Sequence, residues 1–143
     1  EVYQSLNERR EIILNKILLH AVDAIQNPDK TTLRNLAQEV HEEKAAHYPY
    51  ISTRGQFLIA AALKVAGKVE QSLEALDQTR TQSEEFKFRG LEADARAMKA
   101  ILLSEQGEKK AAAEEARKAL AFFKEQDVRH PDLKKLQQIA KSK

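Results

Sequence analysis

Residues that turn a chain recur at a fixed interval: Asn27 with Pro28 behind it, then Gly67, then Gly107, each 40 positions after the last. Between them, apolar side chains recur with the spacing of helices, so the chain has to fold back on itself as helical hairpins rather than as strands. The flanking columns keep step. Ile17, Phe57 and Ala97 align, as do Leu18, Leu58 and Met98, then Ala21, Ala61 and Ile101, then Leu33, Leu73 and Ala113. The interruptions between pairs also keep step, near Pro49, Gly90 and Pro131. The spacing predicts an all-α chain, 1–143, of three antiparallel hairpins at about 2–48, 52–86 and 90–127, closed by a capping helix at 132–142.

The hairpins differ in how they expose themselves. The first helix runs to Gln26, with Asp29 placed to cap the second. That second helix carries a narrow stripe of Leu33, Leu36, Ala37 and Val40 opposite a solvated face of Arg34, Gln38, Glu39 and Glu42. Tyr48-Pro49-Tyr50 is expected to end it, with Ser52 as the next cap. From Gln56 to Ala66 the pattern becomes apolar all round, with Lys64 interrupting, and such a helix has to be covered on several sides. Ala97 to Leu103 repeats that character. The final helix, built on Leu133, Leu136 and Ile139 with a lysine-rich end, suits a polar cap over an open array.

Composition narrows the function classes. The chain has no Cys, so disulfide frameworks and thiolate metal sites are excluded. The formal net charge is +2, the small difference between 24 basic and 22 acidic side chains, which argues against a nucleic-acid partner. No stretch is apolar enough for a membrane span. The chain does not begin with Met and shows no leader, so a segment of a longer protein is expected. A cytoplasmic location is expected, although the absence of Cys suits an extracytoplasmic one equally well.

The second and third hairpins resemble tetratricopeptide repeats, in a variant with a period near 40 residues. The family places a small residue midway through the first helix, a large one three positions on, and Gly at the turn. Here these are Ala60, Leu63 and Gly67, then Ala100, Leu103 and Gly107. Its small-large-small pattern in the second helix is met by Ser72, Leu76 and Thr79, then by Ala112, Ala116 and Ala119, the large position being small in the second set. The first hairpin matches by spacing alone. Departures are Gln56 and Arg96 where the family carries aromatics, and Lys99 where it carries Leu.

The resemblance implies a right-handed superhelical array that binds a protein or peptide on a concave face lined by first helices. Position by position, that face is Leu14, Ile17, Ala21 and Ala24, then Arg54, Phe57, Ala61 and Lys64, then Asp94, Ala97, Ile101 and Ser104. Ile17, Leu58, Ala61 and Ile101 read more naturally as hairpin packing. The partner-binding candidates are therefore Arg54, Phe57, Lys64, Asp94 and Ser104. Family members that clamp a peptide carboxylate need a set of Lys, Arg and Asn, of which Arg54 alone is matched.

Catalytic and metal-binding patterns are missing from the sequence. His41-Glu42 begins like a zinc-protease helix, but the required second His is Ala45, and His47 would lie about 240° around a continuous helix. His20, among Leu18, Leu19 and Val22, reads as a packed or partner-bonded core histidine, and His130 as a bystander in a turn. Glu84-Glu85 and Glu114-Glu115 read as solvated carboxylates beside lysines. There is no glycine-rich phosphate loop and no nucleophile motif, so neither an enzyme nor a cofactor is expected. Arg129, Lys134, Lys135, Lys141 and Lys143 form a basic end, read as the outer face of the cap.

The reading is a protein-interaction scaffold. Its alternative is a ligand-sensing regulatory domain of a larger signalling or transcription-regulator protein. The amphipathic first helix also offers a surface through which two copies could pair, although His20 breaks the heptad begun by Leu6 and Ile13. The hairpin contacts are directly testable. Ala60→Leu or Ala100→Leu overpacks an inner helix and lowers stability by about 1–3 kcal/mol in urea unfolding; unchanged unfolding in both variants would place these alanines elsewhere.

Overall fold

The structure is a computed structural model that describes the backbone of residues 2–142 and the side chains among them, apart from residues 2–4, 43 and 44. Every regular element among the described residues is a helix. In chain order these are α1 (Val2–Gln26), α2 (Lys30–His41), α3 (Glu43–Ala46), α4 (Pro49–Val65), α5 (Val69–Phe86), α6 (Arg89–Glu105), α7 (Lys109–Glu125) and α8 (Leu133–Ala140). The chain divides into two compact units, Glu1–Ala75 and Leu76–Lys143, the division falling within α5.

In the first unit α1 packs against α2 and α4. The turn at Asn27-Pro28 is closed by Asp29, whose carboxylate accepts from the Thr31 and Thr32 N–H groups at 2.8 and 2.9 Å. Thr32 answers by accepting from the Asp29 N–H at 3.0 Å, which completes a capping box. The core is Ile17, Ala21, Ala24, Leu36, Val40, Ala45, Ile51 and Ala62. Gly55 belongs to this packing: a Cβ there would stand 2.8 Å from a Val40 methyl, so α2 and α4 meet where only a hydrogen fits. Ser72 lies fully buried at the start of α5 and donates to the Ala60 carbonyl at 2.7 Å, meeting its hydroxyl's need inside the core.

In the second unit α6 and α7 pack along alanines. Ala93, Ala97 and Ala100 on one helix and Ala112, Ala116 and Ala119 on the other are all buried. Side chains this short let the two backbones approach closely. Phe123, Leu136 and Ile139 complete the core, so α8 covers one end of the α6–α7 pair with an apolar underside and a lysine-bearing outer face. Lys143 lies outside the described residues.

Two sequence expectations need correction. Ser52 is not a helix cap: α4 starts at Pro49, with Tyr48 at the N-cap, because the fixed φ of proline suits the first helical position. His41 and His47 share no helix either. The backbone turns extended at Glu42, with ψ 146°, and starts the short α3 afresh, so an angle measured around one continuous helix does not apply.

The turns are more regular than glycines alone suggest. Gly67 and Gly107 have φ of 76° and 83°, as their type allows, but Lys87 and Asp127 also adopt left-handed backbone, with φ of 59° and 50°. These four positions are 20 residues apart in succession. Each is followed by the same closure, in which the next N–H reaches back to a carbonyl in the last helical turn. The pairs are Lys68 to Leu63, Phe88 to Ser83, Glu108 to Leu103 and Val128 to Phe123, at 2.8–2.9 Å.

A side chain in left-handed backbone carries a steric cost that glycine does not. Lys87→Gly should therefore stabilise the protein by about 0.5–1 kcal/mol, less any loss to the more flexible unfolded chain. Gly67→Ala should destabilise by about 1 kcal/mol even though its Cβ would meet nothing within 4 Å. Urea unfolding of the two variants checks the pair; shifts of the same sign would refute the assignment.

Candidate functional site

Helical geometry puts Arg54, Phe57, Ala61 and Lys64 in one row along α4, at steps of three, four and three residues. Arg54 is exposed, while Phe57, Ala61 and Lys64 are half-buried. The charged ends of the row are about 15 Å apart along the helix axis. Neither Arg54 nor Lys64 forms an ion pair among the described residues. The row thus joins two uncompensated cations through an aromatic ring and a methyl group.

Asp94 and Ser104 stand on α6, in the second unit, and their surroundings differ. Ala97 and Ile101, between them in the same row, are buried in the α6–α7–α8 core and are closed to a partner. Asp94 faces His130, whose Nε2 lies 3.7 Å from its Oδ1. Ser104 is half-buried. On α1 the corresponding row is mostly core as well: Ile17, Ala21 and Ala24 are buried. The α4 row is therefore where the candidate residues come together, and the α6 pair flanks packed side chains.

The second unit carries a charge cluster around Arg96 and Lys99, two of the positions where the sequence departs from the repeat pattern. Arg96 is 13% exposed and reaches three carboxylates, with Nη1 2.9 Å from Glu115 and Nη2 3.1 Å from both Glu84 and Glu92. Lys99 adds Asp77 at 2.8 Å and lies 3.9 Å from the second Glu115 oxygen. Arg80 joins the edge through Glu84 at 2.9 Å. Burial works against the Arg96 charge, but the hydrogen bonds and charges of Glu115 and Glu92 outweigh it and hold its pKa above the usual arginine value. Glu115, at 14% exposed, is not the solvated carboxylate that its neighbour Glu114 suggests. The cluster ties the Leu76–Phe86 part of α5 to α6 and α7 at the position where the repeat family carries an aromatic.

Two histidines also change meaning. His130 is no bystander: its ring stacks on Phe123 at 4.6 Å and its Nδ1 accepts from the Asp132 N–H at 3.1 Å, just ahead of α8. His20 is about one-third exposed rather than core, and its Nε2 lies 3.5 Å from Glu39, so the partner-bonded reading holds and the core reading does not. Glu39 is correspondingly half-buried instead of solvated. Among the described residues no group of three or more His, Asp or Glu side chains could hold a metal ion, and no helix is long and apolar enough to cross a membrane. Glu92–Arg96 and Arg80–Glu84, each four apart on one helix, are the parts of the cluster with a visible sequence signal.

The architecture defines an all-α helical-repeat protein. Among solved structures, the crystal structure of the apo form of RapI is similar, with a TM-score of 0.73 at 20% identity over 87% of this chain. The matched region is 35% of the RapI chain, so this sequence spans about a third of that protein's length. No family model and no curated protein matches the chain. At this identity the likeness establishes the fold.

The cluster makes a sharp energetic prediction. Arg96→Met leaves the half-buried Glu115 and Glu92 without their main cation and should cost about 1–2 kcal/mol. Adding Glu115→Leu should recover part of that loss, because an apolar pair replaces a stranded charge. A double-mutant cycle in urea checks this, and strictly additive losses would contradict it.

Proposed function

We propose that this chain is a protein-interaction module that binds a peptide or a partner protein along the first helices of its hairpins, the concave face of a tetratricopeptide-like array. The observation that carries this reading is the α4 row, in which exposed Arg54 and half-buried Lys64 bracket Phe57 without ion-pair partners among the described residues. Binding energy comes from covering Phe57 and its apolar neighbours, and the two cations set the orientation of a partner with acidic groups at matching spacing. Asp94 and Ser104 offer polar contacts on α6. The modest net charge and mixed surface fit a protein partner better than a nucleic acid. A cytoplasmic location accords with the same reading.

The test reverses the two charges. Arg54→Glu with Lys64→Glu should weaken capture of the partner from the source lysate by about tenfold or more while leaving thermal unfolding unchanged. Undiminished capture by a folded double variant would move the site off α4.

A further inference from the structure

A second surface lies on the first unit, along α1. α1 has 25 residues and its antiparallel partner α2 only 12, so α1 outruns α2 by about half its length. Within that overhang Leu6 and Ile12 are 46% and 54% exposed. Beside it, between α1 and the end of α2, runs a groove of about 520 Å³. Its α1 side is Arg9, Ile12, Ile13 and Lys16, and its opposite side includes Glu39 and Glu42.

The chemistry of this groove is specific. Arg9, Ile12, Ile13 and Lys16 fall at steps of three, one and three, the ridge pattern that one helix presents to another. Arg9 and Lys16 are two turns apart, and neither forms an ion pair among the described residues. Glu42 is likewise unpaired among them, and Glu39 meets only His20, at 3.5 Å. The groove therefore has two cations interleaved with two isoleucines on its α1 wall and carboxylates on the opposite wall.

We propose that this groove docks an amphipathic helix of another protein, one whose apolar stripe is edged by carboxylates on one flank and by basic residues on the other. The carboxylate flank lies against Arg9 and Lys16, the basic flank against Glu39 and Glu42, and the stripe covers Ile12 and Ile13. Opposite charges on the two sides fix the direction in which the helix lies, which an apolar groove alone does not.

The probe is a fluorescein-labelled synthetic helix of about 18 residues with a leucine stripe, glutamates on one flank and lysines on the other. Two controls carry lysines on both flanks, or the same composition with the leucine order scrambled. Fluorescence anisotropy should show the designed helix binding at least about tenfold tighter than either control. Arg9→Glu with Lys16→Glu, and separately Ile12→Asp, should each weaken it by about the same factor, with helix content unchanged by circular dichroism. Arg54→Glu with Lys64→Glu should leave this binding as it is, so the α1 groove and the α4 row fail or succeed separately. Equal binding of probe and controls overturns the proposal, as does loss of binding only in the α4 variant. A dimer of the protein itself in sedimentation equilibrium, dissociated by the Arg9 and Lys16 reversals, would assign the groove to a second copy and overturn it too.

Discussion

A helix is often reversed within a few residues by letting one of them enter left-handed backbone while the next N–H satisfies a carbonyl left open in the last turn. This chain does so at Gly67, Lys87, Gly107 and Asp127. The even spacing gives α4 to α7 nearly equal lengths of 17 or 18 residues. In the α6–α7 pair, equal length lets alanine face alanine along the whole contact, with Ala93, Ala97 and Ala100 against Ala112, Ala116 and Ala119. The first hairpin is built otherwise. Its turn uses proline and an aspartate capping box, and its helices are unequal, which is why α1 keeps an uncovered stretch.

Close alanine packing leaves little room for large apolar side chains to define one arrangement. The second unit supplies that definition with charge. Arg96 binds Glu115 on α7, Glu84 on α5 and Glu92 on its own helix, and Lys99 reaches Asp77. The planar guanidinium can satisfy several carboxylates at fixed angles, which an aromatic ring in its place could not do. In the same unit His130 performs a smaller version of this task, joining Phe123, Asp94 and the start of α8.

Local signals and tertiary pairings were unequally legible in the sequence. Helical periodicity, the glycine turns and the Asp29 cap are local and visible in the sequence, whereas the break at Glu42, which ends α2 at His41 rather than at Tyr48, is not. Lys87 and Asp127 carry no such signal, since neither residue type announces left-handed backbone as glycine does. Pro49 opens α4 rather than ending a helix, because proline does both jobs and position alone decides which. The pairs Arg96–Glu115 and Lys99–Asp77 join residues 19 and 22 positions apart, so no helical spacing rule exposes them. Of the candidate site, the α4 row was legible from repeat alignment, whereas the α1 groove depends on where α2 stops.

The proposed interaction face is one row of α4, in which two cations without ion pairs among the described residues bracket a half-buried phenylalanine. Amide chemical-shift mapping of the isotope-labelled chain with its captured partner tests this most directly. The largest shifts should fall on Arg54, Phe57, Ala61 and Lys64. A bound partner that leaves those four amides unmoved would contradict the account.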